Sequence, residues 1–262
     1  MIDVSEAVLG VLNTAEPKAK VMKARGVVRD WRSGQLAHRF SAVMPETPVR
    51  PDKPELLAPR EMPRRGKGTS ITKRTALIHA LAHIEFVAID LAFDMIGRFG
   101  GQFPAEFVDD WMRVGAEEAM HFTLLDRRLR EMDSFYGAMP AHDGLWDAAK
   151  ETAHDVSARL AIVPMVLEAR GLDITLETVE RFKQQDDHIT AKVLTRIYND
   201  EIRHVSYGTK WFESVCESQK INHYEHWHKL VKTYFRGVLK PPFNDSARHA
   251  AGLTQDYYLG IE

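Results

Sequence analysis

At 262 residues, 44% of them hydrophobic, the chain is long enough to bury one sizeable core that carries extensions. Lys plus Arg (35) nearly balance Asp plus Glu (37), which gives no reason for tight binding to nucleic acid or to an anionic membrane; small molecules are the default partners. The single cysteine, Cys216, excludes an internal disulfide framework and a cysteine-rich metal site, so any metal has to use histidine and carboxylates. No stretch reads as a membrane span of ~20 apolar residues. The N-terminal region is interrupted by Asp3, Glu6, Glu16 and several lysines, and a cytoplasmic location is expected.

In chain order, residues 4–13 and 17–32 read as two short helices, with Pro17 suited to a first turn and Gly34 to a terminus. Together they form an N-terminal annex. Residues 44–70 change character, because Pro45, Pro48, Pro51, Pro54, Pro59 and Pro63 forbid regular helix; an extended surface arm is expected. The arm and its exit carry Arg50, Lys53, Arg60, Arg64, Arg65, Lys67, Lys73 and Arg74 against Glu46, Asp52, Glu55 and Glu61. These charges read as a solvated strip, with contact to an acidic partner as the alternative.

Thr69 or Ser70 is placed to cap a long helix over 71–98, whose end Gly97, Gly100 and Gly101 punctuate. Pro104 opens a second helix, 104–132, with Trp111, Val114, Phe122 and Leu125 at helical spacing. After a Gly/Pro-containing segment at 137–145, a third helix at 146–171 is expected to kink at Pro164 and to end at Gly171. A short helix at 174–185, a long one at 187–217 and a last one near 222–235 follow. Strand signals are sparse. The expected fold is all-α: N-terminal helices and arm over 1–70, a four-helix bundle of two pseudo-repeated hairpins over 71–219, and a C-terminal helix and tail over 220–262.

The chemistry lies in a repeated pattern. Glu118 and His121, and again Glu201 and His204, stand three residues apart and so share a helix face. A lone Glu-x-x-His arises often by chance. Here Glu85 precedes Glu118 by 33 residues and Glu168 precedes Glu201 by 33, and the offset of 83 also maps Glu117 onto Asp200 and His121 onto His204. The stripes around these acids are apolar: Ile78, Ala82 and Ile89 beside Glu85, Val114, Phe122 and Leu125 beside Glu118, Leu194, Ile197 and Val205 beside Glu201. Four carboxylates pointed into apolar surroundings are costly unless positive charge accompanies them. Two divalent metals supply it, and oxygen with imidazole ligands suits iron or manganese. One Glu from each of two helices and a Glu-x-x-His from each of the other two is the ligand arrangement of ferritin-like dimetal bundles.

Glu168, a spacer and then Asp200-Glu201-Ile202-Arg203-His204 resemble the signature of non-haem diiron oxygenases; Glu117-Glu118-Ala119-Met120-His121 is a looser copy. The Pro-rich arm, His79-Ala80-Leu81-Ala82-His83-Ile84-Glu85 and Leu239-Lys240-Pro241-Pro242-Phe243 resemble a bacterial ferritin-like family of unknown function across most of the chain. A more distant similarity is to the diiron tRNA hydroxylases. The resemblance implies a ferritin-like bundle with Glu85, Glu118, His121, Glu168, Glu201 and His204 as the ligands; the expected metal is a pair of Fe ions, with two Mn ions or a mixed Mn/Fe pair as the alternatives.

Glu117 and Asp200 are candidates to accept from the ligand histidines of the opposite half, a simple surface acid being the alternative. Tyr198, one turn before Glu201, is a candidate catalytic phenol, a plain core tyrosine being the alternative. His79 and His83 point away from the Glu85 stripe and read as structural or interfacial, and His223, His226 and His228 are unassigned. The expected activity is a diiron oxidoreductase of oxygenase type, with dioxygen or peroxide and a small-molecule substrate as partners. A dimanganese peroxide-disproportionating enzyme and a non-catalytic metal-binding protein are the alternatives. Nucleic acid is not expected, transfer RNA being left open; no membrane is expected, and a homodimer is left open.

Overall fold

The computed structural model describes residues 2–63 and 70–261. The fold is all-α. Its only strands among the described residues, β1 (Ile2–Asp3) and β2 (Leu36–Ala37), form a two-stranded parallel ribbon. Thr69, one candidate cap, and Arg64, Arg65 and Lys67 of the basic strip lie outside the described residues. By its contacts the chain divides into two compact units, Met1–Trp146 and Asp147–Glu262.

In the first unit, α1 (Val4–Leu12) starts at Asp3, whose carboxylate accepts from the Ser5 and Ser41 amides. Glu16 caps α2 (Pro17–Arg32) with Pro17 in its first turn, as the sequence suggests. The long hairpin is α3 (Ile71–Phe99) and α4 (Ala105–Glu131). Ser70 occupies the cap position of α3, although its side chain makes no capping bond. Both annex helices pack on this hairpin, α1 against α3 and α2 against α4. Gly115 permits the close approach of α4 to α3, since a Cβ there would lie 2.8 Å from the Phe93 ring. Residues 71–102 are long and apolar enough to cross a membrane, which corrects the expectation from sequence; most of that stretch is buried, as in the core helix of a soluble protein.

The Pro-rich arm is not simply a solvated strip. Met44 packs over Gly97, the Val49 amide donates to the Leu12 carbonyl, and residues 55–57 pair with Ala141. Arg50 reaches inward to Asp90 and Asp143, so its acidic partner is within the chain; Lys53 and Arg60 remain exposed. Asp90, fully buried, also accepts from the fully buried Lys20 of α2. Burial pushes the Lys20 ammonium down and the Asp90 carboxyl up, and each charge pulls the other back.

α5 (Gly144–Glu151) runs across the unit boundary in sequence. The helix expected over 146–171 breaks at 152–155, where the buried Arg159 takes the Ala149 carbonyl and the Thr152 hydroxyl, and α6 (Val156–Ile162) restarts from an Asp155 cap. Pro164, which has no N–H to donate, lies in a π-helical segment at Val163–Glu168. The chain then passes through Gly171 without stopping. α7 (Ala169–Lys183) absorbs the separate short helix, because apolar residues such as Leu172, Val179 and Phe182 continue to bury beyond the glycine. α8 (His188–Gln219) packs against α7 and the π-helical segment, and Gly208 allows this, since a Cβ there would lie 2.5 Å from Pro164 Cβ. α9 (His223–Tyr234) agrees with expectation; α10 (Asp245–Ala250) and α11 (Gln255–Tyr258) lie in the tail.

Asp90→Asn is expected to destabilise the protein by about 3 kcal/mol, because it leaves the buried Lys20 without its counter-charge. Urea unfolding of the two proteins measures this. An unchanged midpoint would mean that the annex and arm are not held through Asp90.

Candidate metal centre

The first unit brings together three of the residues expected from the sequence. Glu85 of α3 is 5% exposed, Glu118 of α4 is 1% and His121 is fully buried. Their ligand atoms lie within 4.8 Å of one another. His121 Nδ1 stands 3.1 Å from Glu85 Oε2 and 3.5 Å from Glu118 Oε2. Burial first, and the facing Glu118 carboxylate second, hold the Glu85 carboxyl well above its usual 4.5, while the bond to His121 pulls it down. Two carboxylates and an imidazole converging in a buried site form an oxygen–nitrogen donor set that fits a divalent metal. Ferrous, manganous and zinc ions all suit it.

The second unit carries the counterpart residues. His204, fully buried on α8, places Nδ1 3.5 Å from Glu201 Oε2. Glu168, the last residue of the π-helical segment, is partly exposed at the entrance to α7. The neighbouring acids are oriented by arginines: Arg113 Nε lies 3.3 Å from Glu117, and Arg196 and Arg203 donate to Asp200 at 2.6 and 2.9 Å. The Tyr198 hydroxyl accepts from Asn244 Nδ2 at 3.0 Å, so the C-terminal tail holds the phenol.

Five further histidines have structural partners, as read for His79 and His83. His79 Nε2 accepts from the Gly137 amide, and His83 Nδ1 is 2.9 Å from the Tyr136 hydroxyl, with both rings stacked on Tyr136. Burial, more than the nearby Arg50, depresses His83 to about 3, and the ring is neutral at physiological pH. His223 meets Glu213, His226 stacks on Phe212, and His228 bonds the Asp256 and Tyr257 carbonyls. Sequence reasoning missed Asn244 and Tyr136. Both sit in irregular segments where no periodicity marks a side chain as inward.

A family described as protein of unknown function (DUF455) matches residues 13–259. The chain belongs to the DUF455 family. An uncharacterized protein of Haemophilus influenzae is 38% identical over 224 residues, which cover 82% of this chain and 77% of the relative. No solved structure matches this chain. In this DUF455 chain, then, a buried Glu/His group able to hold a metal is the feature with chemical content.

The raised Glu85 carboxyl carries a pH signature in the metal-free protein. The unfolded chain releases this proton near its ordinary value while the folded chain retains it, so the group's contribution to stability is full below about pH 4.5 and is lost as pH rises through the folded value. Glu85→Gln is expected to make the metal-free protein more stable at neutral pH than wild type, with the difference shrinking toward pH 4, while weakening metal binding. Urea midpoints across pH measure the first effect and metal titration the second. A variant less stable than wild type at every pH would refute the assignment.

Proposed function

We propose that this protein is a ferritin-like dimetal oxidoreductase, with Glu85, Glu118, His121, Glu168, Glu201 and His204 as ligands of two iron ions. The convergence of Glu85, Glu118 and His121 in the buried interior, repeated in the sequence at Glu168, Glu201 and His204, carries this reading. Four carboxylates and two neutral imidazoles balance the charge of two divalent ions. When bound, such a pair supplies the reduction of dioxygen by which an organic substrate is oxidised or hydroxylated.

The chain's own groups have separate tasks in this reading. Glu118 and Glu201, each one turn from a histidine, hold the ions with His121 and His204, and Glu85 and Glu168 complete the two sets. Six side chains do not saturate two ions that prefer five or six ligands each, which leaves positions for an oxygen species. Apolar neighbours such as Phe93, Phe122 and Leu125 are buried and exclude water. Glu117 and Asp200, fixed by their arginines, are placed in sequence to accept a histidine N–H and set its tautomer. Tyr198, pinned by Asn244, is the candidate to pass a proton at its phenol oxygen.

Elemental analysis of protein loaded with ferrous iron without oxygen is expected to give two ions per chain, with His121→Ala and His204→Ala each retaining less metal at wild-type helicity. Exposure to air is then expected to consume dioxygen, and Glu201→Ala to abolish that consumption. One ion or none per chain would end the dimetal reading. A fully loaded ferrous protein that stays unoxidised for hours in air would end the oxygen-activating one.

A further inference from the structure

The second unit has an open groove of about 370 Å³ where the end of α7 meets the first three turns of α8. Lys183, His188, Lys192, Arg196 and Asn199 line it, over a floor that includes Ala191 and the Thr195 side chain. Among the described residues no carboxylate lines it. His188, Lys192 and Arg196 follow one another at four-residue intervals, so they share a face of α8 and climb it in steps of roughly 6 Å.

Three acids pair with these cations without lining the groove, Glu180 and Asp186 exposed and Asp200 largely buried. Glu180 Oε1 is 2.7 Å from Lys183 Nζ, Asp186 is 3.9 Å from His188 Nε2, and the largely buried Asp200 holds Arg196 Nε at 2.6 Å. The Lys183 and His188 pairs are exposed and individually weak, so they cost those cations little of their attraction for an incoming anion, while Asp200 fixes Arg196 and is itself shared with Arg203. Lys192 adds an exposed ammonium between them. Several cations in a short row favour an anion with nearly two charges and several acceptor oxygens, as a phosphate group has near neutral pH, over a single carboxylate. The volume is in the range of small-ligand sites, and the row ends after about three turns on a chain of net charge −2, which disfavours a long polyanion.

The geometry points to this groove as a binding site for a phosphorylated small molecule, its phosphate held by Lys183, Lys192 and Arg196. The site uses none of the proposed metal ligands, sharing with that reading only Arg196, which also holds Asp200, and stands whether or not the oxidoreductase reading holds.

Calorimetric titration of the full-length protein with glycerol phosphate at low salt tests it. Saturable binding at one site per chain is expected, weakened by added sodium chloride, with Lys192→Ala about fivefold weaker and the Lys183→Ala/Lys192→Ala pair weaker still. His121→Ala is expected to bind as wild type does, which separates the groove from the metal centre. Circular dichroism checks the variants, whose altered lysines are exposed. Absence of saturable binding, or binding unchanged in the double lysine variant, would overturn the proposal. So would a single-stranded RNA oligonucleotide that binds through the same lysines where glycerol phosphate does not.

Discussion

A carboxylate withdrawn from water costs several kcal/mol unless a positive charge or a set of donors goes with it, and α3 carries three of them inside the fold. Asp90 and Asp94 lie on the side of the helix away from Glu85, by the helical angle, and both are fully buried. Cations of the chain answer them: Lys20 and Arg50 at Asp90, and Arg98 at Asp94. Arg98 also donates to the Pro45 carbonyl. These ion pairs explain why a two-helix annex and a proline-rich arm, which lack a core large enough to stand alone, are tightly held on the α3/α4 hairpin.

Glu85 sits under the same constraint with a different solution. Its neighbours are an imidazole and a second carboxylate, so proximity to Glu118 worsens the electrostatics that His121 eases. A stability-optimised helix pair would place an apolar residue or a cation at one of these positions. Retaining two acids and a histidine in an apolar interior is the pattern of a site that trades stability for ligand binding. Asp90 and Glu85 are thus chemically alike, and only the groups that face them separate a structural acid from a candidate ligand.

The second unit repeats the theme with different parts. Asp173 of α7 is salt-bridged to the buried Arg248 of α10, which packs against the Phe243 and Tyr258 rings. Arg170 holds the Lys240 and Pro242 carbonyls, and Asn244 bridges to Leu172 and Tyr198. The tail is therefore a clamp on the α7/α8 hairpin. Through Tyr198, one turn before Glu201, it touches the helix that carries the second set of proposed ligands.

By itself the sequence determined the all-α class, both annex helices, a hairpin read as 71–98 and 104–132, each within a residue of the observed ends, and the residues whose type and spacing suit a metal. Those features rest on local rules: helical periodicity, proline and glycine at ends, and a Glu-x-x-His that shares a face wherever a helix forms. Tertiary structure decided the rest. Gly171 did not end a helix, because burial of Leu172, Val179 and Phe182 outweighs the propensity cost of one glycine, and Pro164 falls in a π-helical segment where α8 offers Gly208 to receive it. Arg50 left the surface strip for Asp90, 40 residues away. Asn244 met Tyr198 from 46 residues further along. No local pattern encodes such partners, since a side chain's burial and counter-charge depend on which distant element packs against it.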